Sequence, residues 1–127
     1  MKKILNVLLF LSVVFMAGSC SESYTFGHDN LFYTGPDGET YCRMVQKYNL
    51  SSASGKLPIL LSYSGSWDAS IVEEDVDWAF IDRTSGNGTG YIRLFYTTNT
   101  GDNRTLTIRL ACDNGENVEI TVTQKAK

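Results

Sequence analysis

The chain has 127 residues, with 14 acidic residues against 11 basic ones and a formal net charge of −3. That length accommodates one domain rather than two. Because the phosphates of DNA and RNA require a basic protein surface, the acidic balance argues against nucleic acid as a partner. It also argues against electrostatic docking onto anionic lipid headgroups.

The first twenty residues are typical of a secretory signal. Lys2 and Lys3 precede an apolar run from Ile4 to Ala17, and small residues follow before Cys20. The run is shorter than the roughly 20 apolar residues that cross a bilayer. The segment resembles a bacterial lipoprotein signal, which predicts cleavage after residue 19, lipidation of Cys20 and attachment to the cell envelope at the outer membrane. The alternative is an ordinary secretory signal with an unmodified Cys20.

Two cysteines remain once Cys20 is assigned to lipid. Cys42 and Cys112 are candidates for a disulfide in an oxidising compartment. Closing so long a loop would stabilise the fold by about 4 kcal/mol. The alternative is a pair of buried free thiols. No cysteine or histidine stands at a zinc-binding spacing, so neither a metal nor a cofactor is expected.

After the signal, the first half of the chain is predicted to form a tether followed by short strands. Residues 20–38 predict a lipid-attached tether and an irregular lead-in segment that ends in the turn at 35–38. Strands are predicted over 40–48 and 57–63, and Pro58 places the second at a sheet edge or a strand start. Two shorter strands follow over 67–72 and 77–81. A competing helix after Ser70, which fits a capping box, has room for only a turn or two.

Apolar and polar residues alternate more clearly in the second half of the chain. After a glycine-rich loop at 86–90, the strand over 91–98 places Ile92 and Leu94 on one face and Tyr91, Arg93 and Phe95 on the other. Two further alternating strands, over 105–110 and 118–122, are joined by an Asn-Gly hairpin turn. About seven short, half-buried strands predict an all-β, immunoglobulin-like antiparallel β-sandwich over residues 39–127.

A set of short motifs spans residues 40–124 and is most specific after residue 78. These motifs are Trp67, Trp78-Ala79-Phe80-Ile81, the glycine-rich loop through Gly90, Asn99, Arg104, Leu106 with Ile108, and Val122-Thr123-Gln124. With them the chain resembles the BACON domain family, whose name stands for Bacteroidetes-associated carbohydrate-binding, often N-terminal. The resemblance implies an immunoglobulin-like sandwich, a cell-envelope setting and carbohydrate binding.

Aromatic side chains are the candidate glycan contacts, because the C–H faces of sugar rings stack on aromatic rings. Trp67 and Trp78 are candidates, each with the alternative of a core position. Tyr91, Arg93 and Phe95 are predicted to form a binding platform on an outer sheet face. The alternative is that the aromatic residues of segment 24–33 cover this face.

The sequence shows no recognisable set of catalytic residues. A hydrolase needs a nucleophile with a base, or two opposed carboxylates. The single histidine, His28, falls in the lead-in segment, and the acidic cluster at 73–77 reads as a solvated loop. We therefore predict a non-catalytic envelope lipoprotein that binds a glycan. The alternative is a structural or protein-interaction subunit that uses a sheet edge or the platform around Arg93.

Overall fold

The computed structural model describes residues 27–127, so the predicted signal and the lipidation site Cys20 lie outside the described residues. Within residues 27–127 the chain forms strands and no helix. The strands in chain order are β1 (Phe32–Thr34), β2 (Thr40–Cys42), β3 (Lys47–Leu50), β4 (Gly55–Leu61), β5 (Ser66–Ile71), β6 (Ala79–Ile81), β7 (Ser85–Asn87), β8 (Gly90–Tyr96), β9 (Arg104–Cys112) and β10 (Asn117–Gln124).

These strands build a β-sandwich with a small hairpin beside it. One sheet has the order β3-β10-β9-β5-β7, the other has the order β4-β8-β6, and β1 pairs with β2 alone. Pairing is antiparallel except between β3 and β10, which run parallel. The predicted all-β sandwich is confirmed. The described residues contain more strands than the predicted seven because β1 and β7 form in segments predicted as irregular or loop, and because the strand predicted over 40–48 is divided in two.

The core lies between the two sheets. Ile92 and Leu94 of β8 are fully buried, as the alternation over this strand predicts. The five-stranded sheet buries its alternating apolar residues against them: Leu106, Ile108, Leu110, Val118, Ile120 and Val122. Because the inward positions of both sheets are apolar except for Gln124 at the end of β10, the outward positions are left to form any binding surface.

The predicted hairpin turn and the predicted edge strand are both present in the structure. The Asn-Gly turn between β9 and β10 is closed by a hydrogen bond from the Gly115 N–H to the Cys112 carbonyl at 3.0 Å. Gly115 adopts a φ of +94°, a conformation that glycine reaches without steric cost. Pro58 lies in β4, which is an edge strand of the three-stranded sheet, as predicted.

Within the predicted sandwich, residues 39–127, two segments differ from the prediction. Residues 86–90, predicted as a loop, begin with part of β7, which pairs with β5 at the sheet edge. Gly86 permits this close pairing because a Cβ at that position would collide with the Trp67 ring. The single strand predicted over 40–48 is two strands, β2 and β3, which join different sheets.

The lead-in segment, predicted as irregular, contains β1 and packs on the sandwich. Leu31 is fully buried, and its N–H donates to the Glu116 carboxylate at 2.7 Å. The Phe32 N–H donates to the same carboxylate at 3.1 Å. Nearby, the His28 N–H donates to the Ser62 carbonyl at 3.1 Å. The segment therefore contacts the sandwich near the β9–β10 turn.

Candidate functional site

The outward face of the three-stranded sheet carries a continuous row of large side chains. Tyr91, Arg93 and Phe95 point away from the core, opposite the buried Ile92 and Leu94. Strand register places partners beside them on β4 and β6. We call this surface the outer aromatic face; its residues are Lys56, Pro58, Leu60, Phe80, Tyr91, Arg93 and Phe95.

A stacked pair of phenylalanines, one exposed and one half-buried, lies on the outer aromatic face. Phe80 and Phe95 are register partners on β6 and β8. Their ring centroids lie 5.1 Å apart and their planes are inclined by 15°. Phe80 is 62% exposed, so the pair presents a broad apolar surface to solvent. An open, flat aromatic surface of this kind is suited to stacking against a planar or ring-shaped ligand.

Sequence reasoning missed Phe80 as a site residue, although a signal was present. Within β6 (Ala79–Ile81) the middle residue alone is exposed, so the strand alternates about Phe80. Alternation thus predicts that Phe80 faces outward. Its stacking partner could not be inferred, because the neighbour of β6 is fixed by sheet order rather than by local pattern.

A charged pair sits beside the aromatic rings. Arg93 Nη1 lies 2.9 Å from Asp82 Oδ2, and the Arg93 N–H donates to the other carboxylate oxygen at 2.8 Å. The hydrogen bond from the Arg93 N–H is the main cause that lowers the pKa of Asp82 below its usual value. Asp82 is therefore ionised at neutral pH. The pair supplies both a hydrogen-bond donor and an acceptor at the rim of the face.

One end of the outer aromatic face deepens into a groove of about 370 Å³. We call it the Trp78 groove; its lining residues are Ser54, Gly55, Trp78, Phe80, Phe95, Tyr96 and Thr97. Gly55 leaves room for Tyr96, since a Cβ there would meet the Tyr96 hydroxyl at 2.8 Å. The groove thus combines aromatic walls with three hydroxyl groups, those of Ser54, Tyr96 and Thr97, a composition suited to small polar ring ligands.

The two candidate tryptophans occupy different environments. Trp67 is only 2% exposed, and its Nε1–H donates to the Gly88 carbonyl at 3.1 Å. A ligand cannot reach so buried a ring. The prediction of Trp67 as a glycan contact is therefore wrong, and its alternative, a position in the core, is the one observed. Trp78 is half-buried and lines the Trp78 groove, with the Arg104 guanidinium 4.3 Å above its ring.

The β1–β2 hairpin is a second exposed aromatic region. Tyr33 and Tyr41 are register partners with ring centroids 5.8 Å apart, and Arg43 lies 4.5 Å above the Tyr33 ring. The Tyr41 hydroxyl donates to Asp37, and this bond is the main cause that lowers the pKa of Asp37. Within residues 27–127 the lead-in segment does not cover the outer aromatic face, because Tyr91 there remains 50% exposed, and residues 24–26 of the segment lie outside the described residues.

Both candidate disulfide cysteines are free thiols in the structure. Cys42 is half-buried in β2, and its sulfur accepts a hydrogen bond from the Met44 N–H at 3.4 Å. Cys112 is buried at the end of β9. Burial, followed by the charges of Glu116 and Asp113, raises the pKa of Cys112 to about 11. The candidate disulfide between them is not formed in this structure, which instead has the alternative of two free thiols.

Across residues 27–127, no three metal-ligating side chains converge into a possible ion site. Glu73 of the acidic cluster accepts a hydrogen bond from the Thr107 N–H at 2.8 Å, so it ties the loop after β5 to β9. Within the same residues, no helix has the length and apolar character needed to cross a bilayer.

Comparisons with known proteins address the family and the fold. Residues 67–125 match the BACON family, described as "Putative binding domain, N-terminal". A Bacteroides ovatus GH5 xyloglucanase, solved in complex with a XXXG heptasaccharide, is similar over 65% of this chain, with 19% identity and a TM-score of 0.58. This chain covers 17% of the xyloglucanase chain. The likeness supports the sandwich fold.

A second similar structure is SSP-19, an MSP-domain protein like family member in Caenorhabditis elegans. It has 12% identity and a TM-score of 0.47, over 64% of this chain and 95% of that chain. No curated protein matches the sequence.

Proposed function

We propose, from the match of residues 67–125 to the BACON family, that the chain is a non-catalytic module that binds a glycan. The observation that carries the proposal is the stacked Phe80–Phe95 pair, which opens into the Trp78 groove beside a charged rim. Aromatic rings provide the apolar contact for a sugar ring, and the neighbouring polar side chains bind its hydroxyls.

The outer aromatic face places apolar rings beside polar side chains, and a glycan can use both. Stacking on Phe80 and Phe95 buries the C–H face of a sugar while its hydroxyls stay at the edge. There, Arg93 and Asp82 offer a donor and an acceptor, and Thr97 lines the groove beyond them. A glycan is favoured over a purely apolar ligand because an apolar ligand would leave this charged rim unused.

The setting of the protein is part of the same proposal. We place it at the cell envelope, held at the outer membrane by acyl chains on Cys20. Lipid attachment would be durable, since each buried methylene contributes about 0.8 kcal/mol. Replacing Cys20 with serine is expected to move the protein from the membrane fraction to the soluble fraction. Continued membrane association of that variant would count against the anchor.

A protein partner is the second candidate, and the edge strand β4 is the observation that favours it. Leu60 is 49% exposed and Pro58 lies beside it on the same outward face. A partner strand could pair with this edge, although Pro58 offers no N–H for such a ladder. The glycan proposal ranks first because the Trp78 groove combines aromatic walls with hydroxyl groups, whereas Pro58 interrupts the donors of the β4 edge.

The test is binding of the purified protein to a glycan array, followed by titration with soluble polysaccharides and with the XXXG heptasaccharide. Phe80→Ala/Phe95→Ala is the site variant. Tyr33→Ala/Tyr41→Ala is the matched control, because it also removes two exposed, neighbouring rings. We expect the site variant to weaken binding at least tenfold, which corresponds to about 1.4 kcal/mol. The control variant is expected to bind as the parent does.

Two results would overturn the proposal. If the folded parent binds no glycan, the module has a different ligand and the β4 edge becomes the leading surface. If it binds but both variants bind equally well, the glycan contact lies away from the outer aromatic face. Circular dichroism of each variant confirms that the fold is retained before binding is compared.

A further inference from the structure

A buried polar network lies directly behind the Trp78 groove. Gln124 is fully buried, and its Oε1 accepts a hydrogen bond from Arg104 Nε at 2.8 Å. Gln124 Nε2 donates to the carbonyls of Thr97 at 2.9 Å and Ser52 at 3.2 Å. Each polar atom of the amide side chain is therefore satisfied, as a buried polar group requires.

Arg104 connects this network to the groove. Its Nη2 donates to the Thr97 carbonyl at 3.1 Å and to the Thr98 carbonyl at 3.3 Å. The same guanidinium lies 4.3 Å from the centre of the Trp78 ring, within the range of a cation–π contact. The planar guanidinium can make these in-plane hydrogen bonds and still stack on an aromatic ring. The ammonium group of a lysine has no such plane and cannot do both at once.

The backbone of Trp78 is held by the same residues. Its carbonyl accepts hydrogen bonds from the Thr97 N–H at 2.9 Å and from Thr97 Oγ1 at 3.3 Å. Thr97 Oγ1 also lies 3.3 Å from Arg104 Nη2. Both the ring and the main chain of Trp78 are thus tied to one cluster, while Trp78 and Thr97 themselves line the groove.

We infer that Arg104, oriented by Gln124, is a positioning residue that fixes the Trp78 ring as a wall of the ligand groove. The inference rests on the proposed glycan function only for its effect on affinity. Its structural part, the restraint on the Trp78 ring, can be measured without any ligand.

The test variant is Arg104→Lys, which keeps the charge but removes the planar guanidinium. Two indole N–H resonances are expected in a nitrogen-correlated NMR spectrum, one for each tryptophan, and Trp78→Phe assigns them. We expect Arg104→Lys to shift or broaden the Trp78 resonance and to leave the Trp67 resonance in place. Arg83→Lys is the matched control, since Arg83 lies 5.0 Å above the Trp67 ring, and it should show the reverse pattern.

Affinity for the glycan probe provides the second readout. We expect Arg104→Lys to weaken binding about tenfold in the parent protein and to have little further effect in a Trp78→Ala background, which has no ring for the residue to act through. Arg83→Lys should leave affinity unchanged. Equal losses from Arg104→Lys in both backgrounds would show that Arg104 does not act through Trp78.

A gentler variant keeps the inference testable if Arg104→Lys fails to fold. Thr97→Val removes only the hydroxyl that bridges Arg104 and Trp78, so it should shift the Trp78 resonance by a smaller amount. An unchanged Trp78 resonance in every folded variant of the network overturns the inference. A shifted resonance in a protein that binds no glycan would instead reject the proposed function and keep the positioning role.

Discussion

Two tryptophans, each with an arginine over its ring, lie at opposite ends of the sandwich and differ in what surrounds them. Trp67 pairs in register with Cys112, the last residue of β9, whereas Arg104, the partner of Trp78, is the first residue of that strand. Trp67 is almost completely buried, while Trp78 is half-buried and lines a groove. The same pair of side chains thus serves the core at one end and a surface at the other.

The difference arises from the neighbouring backbone rather than from the tryptophans themselves. At the Trp67 end, β7 closes over the ring because Gly86 has no side chain to obstruct it. At the Trp78 end, the three-stranded sheet finishes with β6 as an unpaired edge, so the ring keeps an open side. Burial of an aromatic residue is therefore decided by which strand lies next to it.

Truncating the two tryptophans is expected to give the largest contrast in stability. Trp67→Ala removes a fully buried ring and its hydrogen bond to Gly88, and should lower the free energy of unfolding by about 3–5 kcal/mol. Trp78→Ala removes a ring that is already partly solvated, and should cost less than about 2 kcal/mol. Urea denaturation followed by circular dichroism measures both losses. Equal losses would contradict the division between a core end and a surface end.

Filling the space beneath the Trp67 ring should give the next largest effect. Gly86→Ala places a methyl group against the indole and the Arg83 guanidinium, and should cost about 1–3 kcal/mol through overpacking. Gly101→Ala is the matched control, because the nearest atom to its Cβ is Asn99 Oδ1 at 3.9 Å. The control is expected to stay within about 0.5 kcal/mol of the parent. A stable Gly86→Ala variant would mean that β7 does not close tightly over Trp67.

The sequence predicted the outer face of β8 well because alternation is a local property. The outward positions of Tyr91, Arg93 and Phe95 follow from the period of two, and the edge position of β4 follows from Pro58. The Asn-Gly turn before β10 was equally readable, since its positive φ demands glycine. In each case neighbouring residues alone carry the information.

Long-range pairing accounts for what the sequence did not predict. The burial of Trp67 depends on β7, which joins its sheet only through β5. Leu31 lies in the core, and its N–H is bound by Glu116, which is far along the chain. The stack between Phe80 and Phe95 requires β6 to lie beside β8. None of these neighbours is specified by local alternation or by turn chemistry.

The Trp67 end should also dominate the response to alkaline pH, the smallest of the expected effects. The hydrogen bond to Asp113 raises the pKa of Tyr63 from 10.0 to about 12, and burial raises that of Cys112 from 9.0 to about 11. Both groups keep their protons in the folded chain at pH values where the unfolded chain has lost them. Their contribution is therefore complete below pH 9 and declines as the pH rises towards about 12.

Urea midpoints measured across that alkaline range test the assignment. Tyr63→Phe is expected to lower stability at neutral pH, because it leaves Asp113 without its hydroxyl partner, but to flatten the alkaline decline. Tyr91→Phe, which alters an exposed tyrosine on the outer aromatic face, is expected to keep the slope of the parent. If Tyr63→Phe declines as steeply as the parent, the alkaline sensitivity arises elsewhere. The two ends would then differ in packing but not in how they affect the pH dependence of stability.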